Sequence, residues 1–408
     1  MAPVLAPVLA PVLAPVMLSS VWLGPASGLA REAARPAHLR NASYAERYDW
    51  HTLFYDVYRV GKHVVFQGPP FLNLLDYLKA AAPFSGAFGF PLFRARHFAQ
   101  KKRGEIWLRS DRDRFTLDGP LGHHEIAVQP DMAGLFAGRR VITTLSKDND
   151  LRWIADWVRF YARIHAADGV LVYDNGSTAY DLAQLQATLD EAAGGAFPAL
   201  AVSWPFPYGP QGGEAGAVNG VEADWDSDFC QTGSLQHARH RFLRHAGSVL
   251  NVDIDELVLG DGNQSIFAAT EQSASGFVKF PGRWIGTHAA PQVTRGTCRH
   301  ADFVTRELPD VLDCPPKWCL VPGKADRLAD SWSVHNLFGA KANRVIDQRF
   351  AYRHMRGITN SWKEDRWAPA SAPGPRDHAL EAAFAAAGLD RSATPEGPVW
   401  AAARPVVR

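Results

Sequence analysis

Three carboxylates, Asp253, Asp255 and Glu256, stand together in the segment SVLNVDIDELVL at 248–259. A largely apolar run leads into them and Leu257-Val258-Leu259 follows. The segment reads as a buried strand that emits acids at its C-terminal end, the edge of an open α/β sheet where ligands bind. Residues two apart on an extended chain point to the same side, so Asp253 and Asp255 repel each other unless a cation lies between them. Oxygen ligands of this kind suit Mg²⁺ or Mn²⁺, which bind through one or two carboxylates together with substrate phosphates. The plain alternative is a strand running into a solvated acidic turn. Glu256 alternates to the other face, where a structural role and a site role stay equally open.

Elements upstream have to bring other groups to the same edge. Residues 140–145 are β-branched and apolar, a buried strand. Ser146 to Asp150 offer helix N-caps, and Ile154, Trp157, Val158, Tyr161 and Ile164 recur at helical spacing behind them. Residues 169–173 form the next apolar strand, ending in the polar turn Asp174-Asn175-Gly176-Ser177-Thr178. A helix over 181–192 and a strand over 199–204 complete a parallel βαβ half-sheet. A Gly-rich loop at 209–220 and a helix over 227–245 then lead into the acidic strand. Further strands are expected at 62–67, 105–108, 277–280 and 318–321, and a short helix at 71–81. Asp174 on one strand end and Asp253/Asp255 on another describe a nucleoside diphosphate site: a carboxylate for ribose or base, and a pair for the cation that pyrophosphate needs. No P-loop and no G-x-G-x-x-G after the first strand offers a glycine cradle instead.

The whole chain bounds the possibilities. Its 408 residues, 47% apolar and 21% charged, suit a folded protein of two or three units, and a net charge of +1 gives no argument for nucleic-acid binding. Four cysteines (Cys230, Cys298, Cys314, Cys319) match no zinc spacing and read as reduced thiols in a cytosolic protein. The sequon at Asn175–Ser177, in the expected site, favours the same compartment. The APVL repeat from Ala2 to Leu13 carries a proline every fourth residue and no preceding Lys or Arg, which argues against a signal peptide or a spanning helix and suggests a low-complexity disordered leader or a mis-called start codon. The expected organisation is therefore a low-complexity leader at 1–45, an accessory region at 46–137, a catalytic domain at 138–366 and a tail at 367–408. The basic stretch RARHFAQKKR at 94–103 is either a phosphate or acceptor patch or a solvated surface run.

The blocks VITTLSKDND, VLVYDNGST, FCQTGSLQHARHRFLRHAG and SVLNVDIDELVL, continued by PPKWCLVP, SVHN and YRHMRGITNSWKEDR, resemble bacterial glycosyltransferases of the family 2/family 92 type over residues 139–366. The resemblance implies a GT-A fold, a Rossmann-like and mostly parallel α/β sheet flanked by helices, with a D-x-D-E strand end. It implies that Asp253 and Asp255 hold Mn²⁺ or Mg²⁺ and the donor diphosphate, with His335 of SVHN completing the shell or serving a structural role. Asp174 would contact base or ribose, or else cap its turn. Thr143 and Ser146 would line the nucleotide pocket. His354 and Arg356 would hold the leaving diphosphate, with Lys317 a weaker counterpart, or belong to a salt-bridged surface. Gln231 is expected on a solvated helix face.

The expected reaction is transfer of a sugar from a nucleoside diphosphate sugar to a hydroxyl of a glycan or lipid-linked glycan, in surface polysaccharide synthesis. The resemblance leans to inversion, which requires a carboxylate base; Glu307 and Asp310 are the candidates, with Asp326 and Asp330 behind them. Localisation is expected in the cytoplasm, with peripheral contact at the inner membrane. A phosphoester hydrolase would recruit His288, His300 or His335 as further ligands. A carbohydrate-binding protein would use the thirteen tryptophans but has no need of strand-end acids.

Overall fold

The computed structural model describes residues 13–88, 95–100, 102–210, 217–218, 221–222, 226–290, 292–361, 366–367 and 373–389. Strands β1 (Asp56–Val60), β2 (His63–Gly68), β3 (Ala95–Gln100) and β4 (Arg103–Arg109) form an antiparallel sheet in the order β1-β2-β4-β3. Helix α1 (Leu74–Ala80) closes its apolar face with Leu74 and Leu78 against Phe54, Phe66 and Ile106. These elements fall within the span 46–137, as does a separate hairpin of Arg114–Gly119 and Gly122–Ala127, and polar contacts stitch the sheet to the larger one.

The main sheet begins with β5 (Arg140–Ser146), helix α2 (Leu151–His165), β6 (Gly169–Asp174), helix α3 (Leu182–Ala193) and β7 (Ala199–Ser203). Asp150 caps α2 by accepting the Arg152 N–H, and Asp181 with Gln184 forms a capping box on α3. Helix α4 (Phe229–His237) continues as a π-helical stretch at Ala238–Leu243 and delivers the chain to β8 (Ser248–Asn251). The four strands are parallel in the order β7-β6-β5-β8. Because both faces are covered, alternate residues serve different layers. Ile142, Val172 and Leu250 pack with α2 and α3, while Val141, Leu171 and Val249 pack with α4.

Beyond β8 the sheet changes character. Strand β9 (Glu256–Gly260), helix α5 (Ile266–Gln272), β10 (Phe277–Ile285), β11 (Thr305–Glu307), β12 (Cys314–Leu320) and β13 (Phe350–Met355) follow. β12 runs antiparallel to β8 and to β10, and β13 joins β10 to β9. The ten-stranded sheet is thus parallel in its first half and mainly antiparallel in its second, which narrows the expectation of a mostly parallel sheet.

Both ends of the chain depart from expectation. The composition of residues 14–45 predicts disorder, yet from Val16 on the segment is held in place. The Val16 N–H donates to the Ala201 carbonyl and the Ser203 N–H to the Val16 carbonyl, so the segment lies along the outer edge of β7. Val21–Trp22 pairs antiparallel with Thr52–Phe54. Arg31 is buried and donates to the carbonyls of Asp49, Thr52 and Pro70. The segment is ordered both by these hydrogen bonds and by apolar anchors, Val16, Val21, Leu23 and Tyr44, buried in the cores of the two sheets and beside α4. Residues 2–12 of the repeat lie outside the described residues. Of the expected tail, β14 (Pro373–Arg376) adds to β11, and α6 (His378–Ala387) packs Phe384 against Phe160 of α2. Residues 390–408 lie outside the described residues.

The accessory sheet meets α4 through buried polar contacts. Asp56 accepts from Arg241 Nη1 at 2.8 Å and contacts His237 Nε2 at 2.9 Å, whose Nδ1 is 2.9 Å from the Tyr173 hydroxyl. Burial alone would raise the Asp56 pKa, but His237 and Arg241 outweigh it and hold it down. Gln67 donates to the Gly233 carbonyl, and a Cβ at Gly233 would lie 2.5 Å from the Tyr55 ring, so only glycine lets α4 approach this closely. All four cysteines are buried and unpaired. Among the described residues no helix is long and apolar enough to cross a membrane.

Candidate active site

The C-terminal ends of β5, β6, β7 and β8 open into one cleft of about 1040 Å³. Ser146 and Lys147 reach it from β5, Asn175 and Gly176 from the turn after β6, Phe206 and Tyr208 from beyond β7, and Asp253 to Glu256 from beyond β8. Lys317 on β12, His335, His354 on β13 and Arg366 also line it.

The acids do not lie on an extended strand. β8 stops at Asn251, residues 252–255 turn, with the Glu256 N–H bonded to the Asp253 carbonyl, and β9 starts at Glu256. The Glu256 carboxylate folds back beneath the turn, accepts the Asp253 N–H at 2.8 Å and is buried. Lys317 Nζ sits between Asp253 Oδ2 (2.9 Å) and Glu256 Oε2 (3.0 Å), itself only 1% exposed. Asp255 points elsewhere: its Oδ2 lies 3.1 Å from His354 Nε2 and 3.3 Å from Arg366 Nη1. His354 is stacked on Trp284 with ring centres 3.9 Å apart and planes at 15°, which fixes the imidazole that meets Asp255.

The charges follow from this packing. Burial would raise the Asp255 pKa, but His354, then Arg366 and Lys317, outweigh it, so Asp255 stays well below the usual carboxylate range. Glu256 is the opposite case: burial pushes it upward, with Lys317 offsetting only part and Asp253 adding to the rise. Lys317 stays charged because Asp253 and Glu256 outweigh its own burial. Burial, reinforced by Lys317, lowers His335 to about 4, so its imidazole is neutral at neutral pH.

The remaining candidates divide between the cleft and its surroundings. Ser146 lines the cleft and accepts from Asn149 Nδ2. Thr143 is buried within β5, and its side chain does not line the cleft. Both Asp174 oxygens are taken by Ser177, through its hydroxyl and its N–H, so Asp174 caps its turn while Asn175 and Gly176 face the cleft. His335 lines the cleft with Nδ1 3.0 Å from the Pro316 carbonyl. Arg356 lies outside the cleft, over the Trp284 ring at 4.0 Å and paired with Glu307. Glu307 and Asp310 lie outside the cleft as well: the first is held by Arg356, the second by Arg283 and Arg306. Asp326 and Asp330 are absent from the cleft walls too, as are His288 and His300. Trp362 and Lys363 lie outside the described residues.

Some residues matter more than the sequence indicates. Gln231, expected on a solvated face, lines the cleft and accepts from the Tyr208 hydroxyl at 2.9 Å. Asp228 just precedes α4, is nearly buried, and pairs with Lys102 at 2.7 Å, so the basic stretch contributes one residue to the cleft. Burial raises the Asp228 pKa, with Lys102 opposing. Within the same stretch Arg103 is buried against Glu105, while Arg94 and Lys101 lie outside the described residues. Among the described residues no three His, Cys, Asp or Glu side chains converge as a ready metal shell. Asp253 and Asp255 each commit one oxygen to the cations named above and keep Oδ1 without a protein hydrogen bond among the described residues. No family model matches the chain, and no curated protein gives a significant match.

Proposed function

We propose that the chain is a glycosyltransferase that moves a sugar from a nucleoside diphosphate sugar to a hydroxyl of a glycan or lipid-linked glycan acceptor, with inversion. The observation that carries this reading is the acid turn after β8, opening into a cleft that also gathers the ends of β5, β6 and β7. Parallel strands in this order followed by an antiparallel neighbour support a GT-A-type sheet. The cleft is at the upper end of the volumes that hold a single small ligand, which suits a donor together with the reacting unit of an acceptor.

Asp253 and Asp255, each with an Oδ1 that no protein hydrogen bond takes among the described residues, would hold a divalent cation, Mn²⁺ or Mg²⁺, together with substrate phosphates, while neutral His335 lines the same cleft without completing a three-residue shell. When bound, such an ion would supply Lewis-acid charge to the departing diphosphate. The chain's own groups do the rest. Ser146 and Asn149 offer hydroxyl and amide partners to a nucleoside, while the Asn175 amide N–H groups are spent on the Trp204 and Phe206 carbonyls and hold the cleft floor in place. Arg366, fixed on Asp255 beside His354, adds positive charge to the cleft. Outside the acid turn, Asp228 is the only carboxylate lining the cleft among the described residues. Its desolvation lifts its basicity toward the range a general base needs, so Asp228 replaces Glu307 and Asp310 as the group that receives the acceptor proton.

The test is a thermal-shift series with UDP-, GDP- and CMP-sugars, with and without Mn²⁺, on the native chain and Asp255→Ala. A metal-dependent rise with one nucleotide, lost in the variant, is expected; ligand at 100 times Kd contributes about 2.7 kcal/mol. No rise with any nucleotide, from protein shown to be folded, would overturn the reading.

A further inference from the structure

The acid turn already contains a cation. Lys317 is delivered by β12, whose register sets Trp318 opposite Asn251. Its ammonium therefore arrives beside the turn that follows β8. It is buried among the acids yet forms part of the cleft wall. An ammonium has three N–H donors. Two are directed at Asp253 and Glu256, which leaves one for a molecule in the cleft. An anchor built this way costs little conformational freedom on binding, because the side chain is already fixed. Lys317 and Arg366 thus offset part of the negative charge of the turn before any metal binds.

We propose that Lys317 is a tethered cation of the donor site, contacting the diphosphate directly, so that diphosphate binding survives removal of divalent metal. The proposal rests on the glycosyltransferase reading and divides the work of that site. Asp255 has partners of its own, His354 and Arg366. Lys317 bridges Asp253 to the interior. A charge-assisted hydrogen bond to phosphate accounts for roughly tenfold to a hundredfold in affinity.

The experiment is calorimetric titration of UDP, GDP and inorganic pyrophosphate into the full chain, once with Mn²⁺ and once with excess EDTA. Lys317→Met would strand two carboxylates, one of them deeply buried, so the charge pair is removed together in K317M/E256Q and compared with E256Q alone. The expected result is weaker but measurable binding in EDTA by the native chain and by E256Q, reduced tenfold to a hundredfold in K317M/E256Q. Binding that requires Mn²⁺ outright would overturn the role of Lys317 and leave the donor site standing. Equal binding in EDTA by all three proteins would overturn it too. No binding under either condition would remove the donor-site reading itself, and Lys317 with it.

Discussion

His165, the last residue of α2, carries a sharp pH prediction. Its Nε2 lies 2.8 Å from the Val258 carbonyl on β9, and its Nδ1 accepts the Ile266 N–H at the start of α5. One ring nitrogen must donate and the other accept, so the geometry requires a neutral imidazole. Burial lowers its pKa from 6.5 to about 4. Between those values the unfolded chain binds the proton and the folded chain does not, so stability falls as pH drops from about 6.5 toward 4. Each pH unit crossed inside that window costs about 1.4 kcal/mol, so the loss from this residue between pH 7 and pH 5 is roughly 2 kcal/mol. His237, also lowered to about 4 and fully buried, adds its own loss over the same interval. Urea unfolding at pH 7, 6 and 5 measures the sum, and His165→Gln isolates one share, because glutamine does not titrate. The variant should be less stable at pH 7 by about 1–3 kcal/mol for the lost hydrogen bond, but should lose roughly 2 kcal/mol less than the native chain on going to pH 5. Parallel pH profiles for the two proteins would refute the assignment. The outcome bears on function, since Tyr161 and His165 of α2 both hold β9, the strand that starts at the acid turn.

Asp56→Asn removes the carboxylate shared by His237 and Arg241 and should cost about 3–5 kcal/mol, a large part of the 5–15 kcal/mol typical of a domain; a denaturant midpoint shift worth under 1 kcal/mol would contradict the packing described. Asp228→Asn should lower kcat by about 10²–10⁴ while leaving donor affinity nearly unchanged; unchanged turnover in a coupled assay of diphosphate release would dismiss Asp228 as the base.

The parallel half of the sheet is legible in the sequence because strands covered on both faces read as apolar runs, and the intervening helices carry their own caps and spacing. Residues 140–145, 169–173 and 199–204 appear within a residue or two of their expected ends. The antiparallel half is harder, since its neighbours are set by long-range pairing. Lys317 illustrates this: it is close to Asp253 only through the register of β12 on β8. It does leave a signal, a lysine inside the apolar run PPKWCL, which burial would force to find a carboxylate. The acid turn reads as a strand because D-x-D alternation looks the same either way; what bends it is the Glu256 side chain returning to the Asp253 N–H. Glu307 and Asp310 look available in the sequence only because the arginines that claim them, Arg356 and Arg283, are set by pairing between separate strands. Asp174 shows that a strand-end acid two residues before a glycine can be spent on its own turn.

The segment around Val16 has a consequence for how the molecule is made. It lies on the outer edge of β7, whose backbone groups would otherwise be open to another chain. Val16 leaves the ribosome long before β7 exists, so this contact has to wait until about half of the chain has been made. Until it does, β7 is a sticky margin, and the nearby pairing of Val21–Trp22 with Thr52–Phe54 is what keeps the segment waiting close at hand. A truncation or bulky fusion that disturbs residues 13–23 would therefore show itself as self-association during expression, and it would also disturb Trp22, which lines the cleft against Phe206.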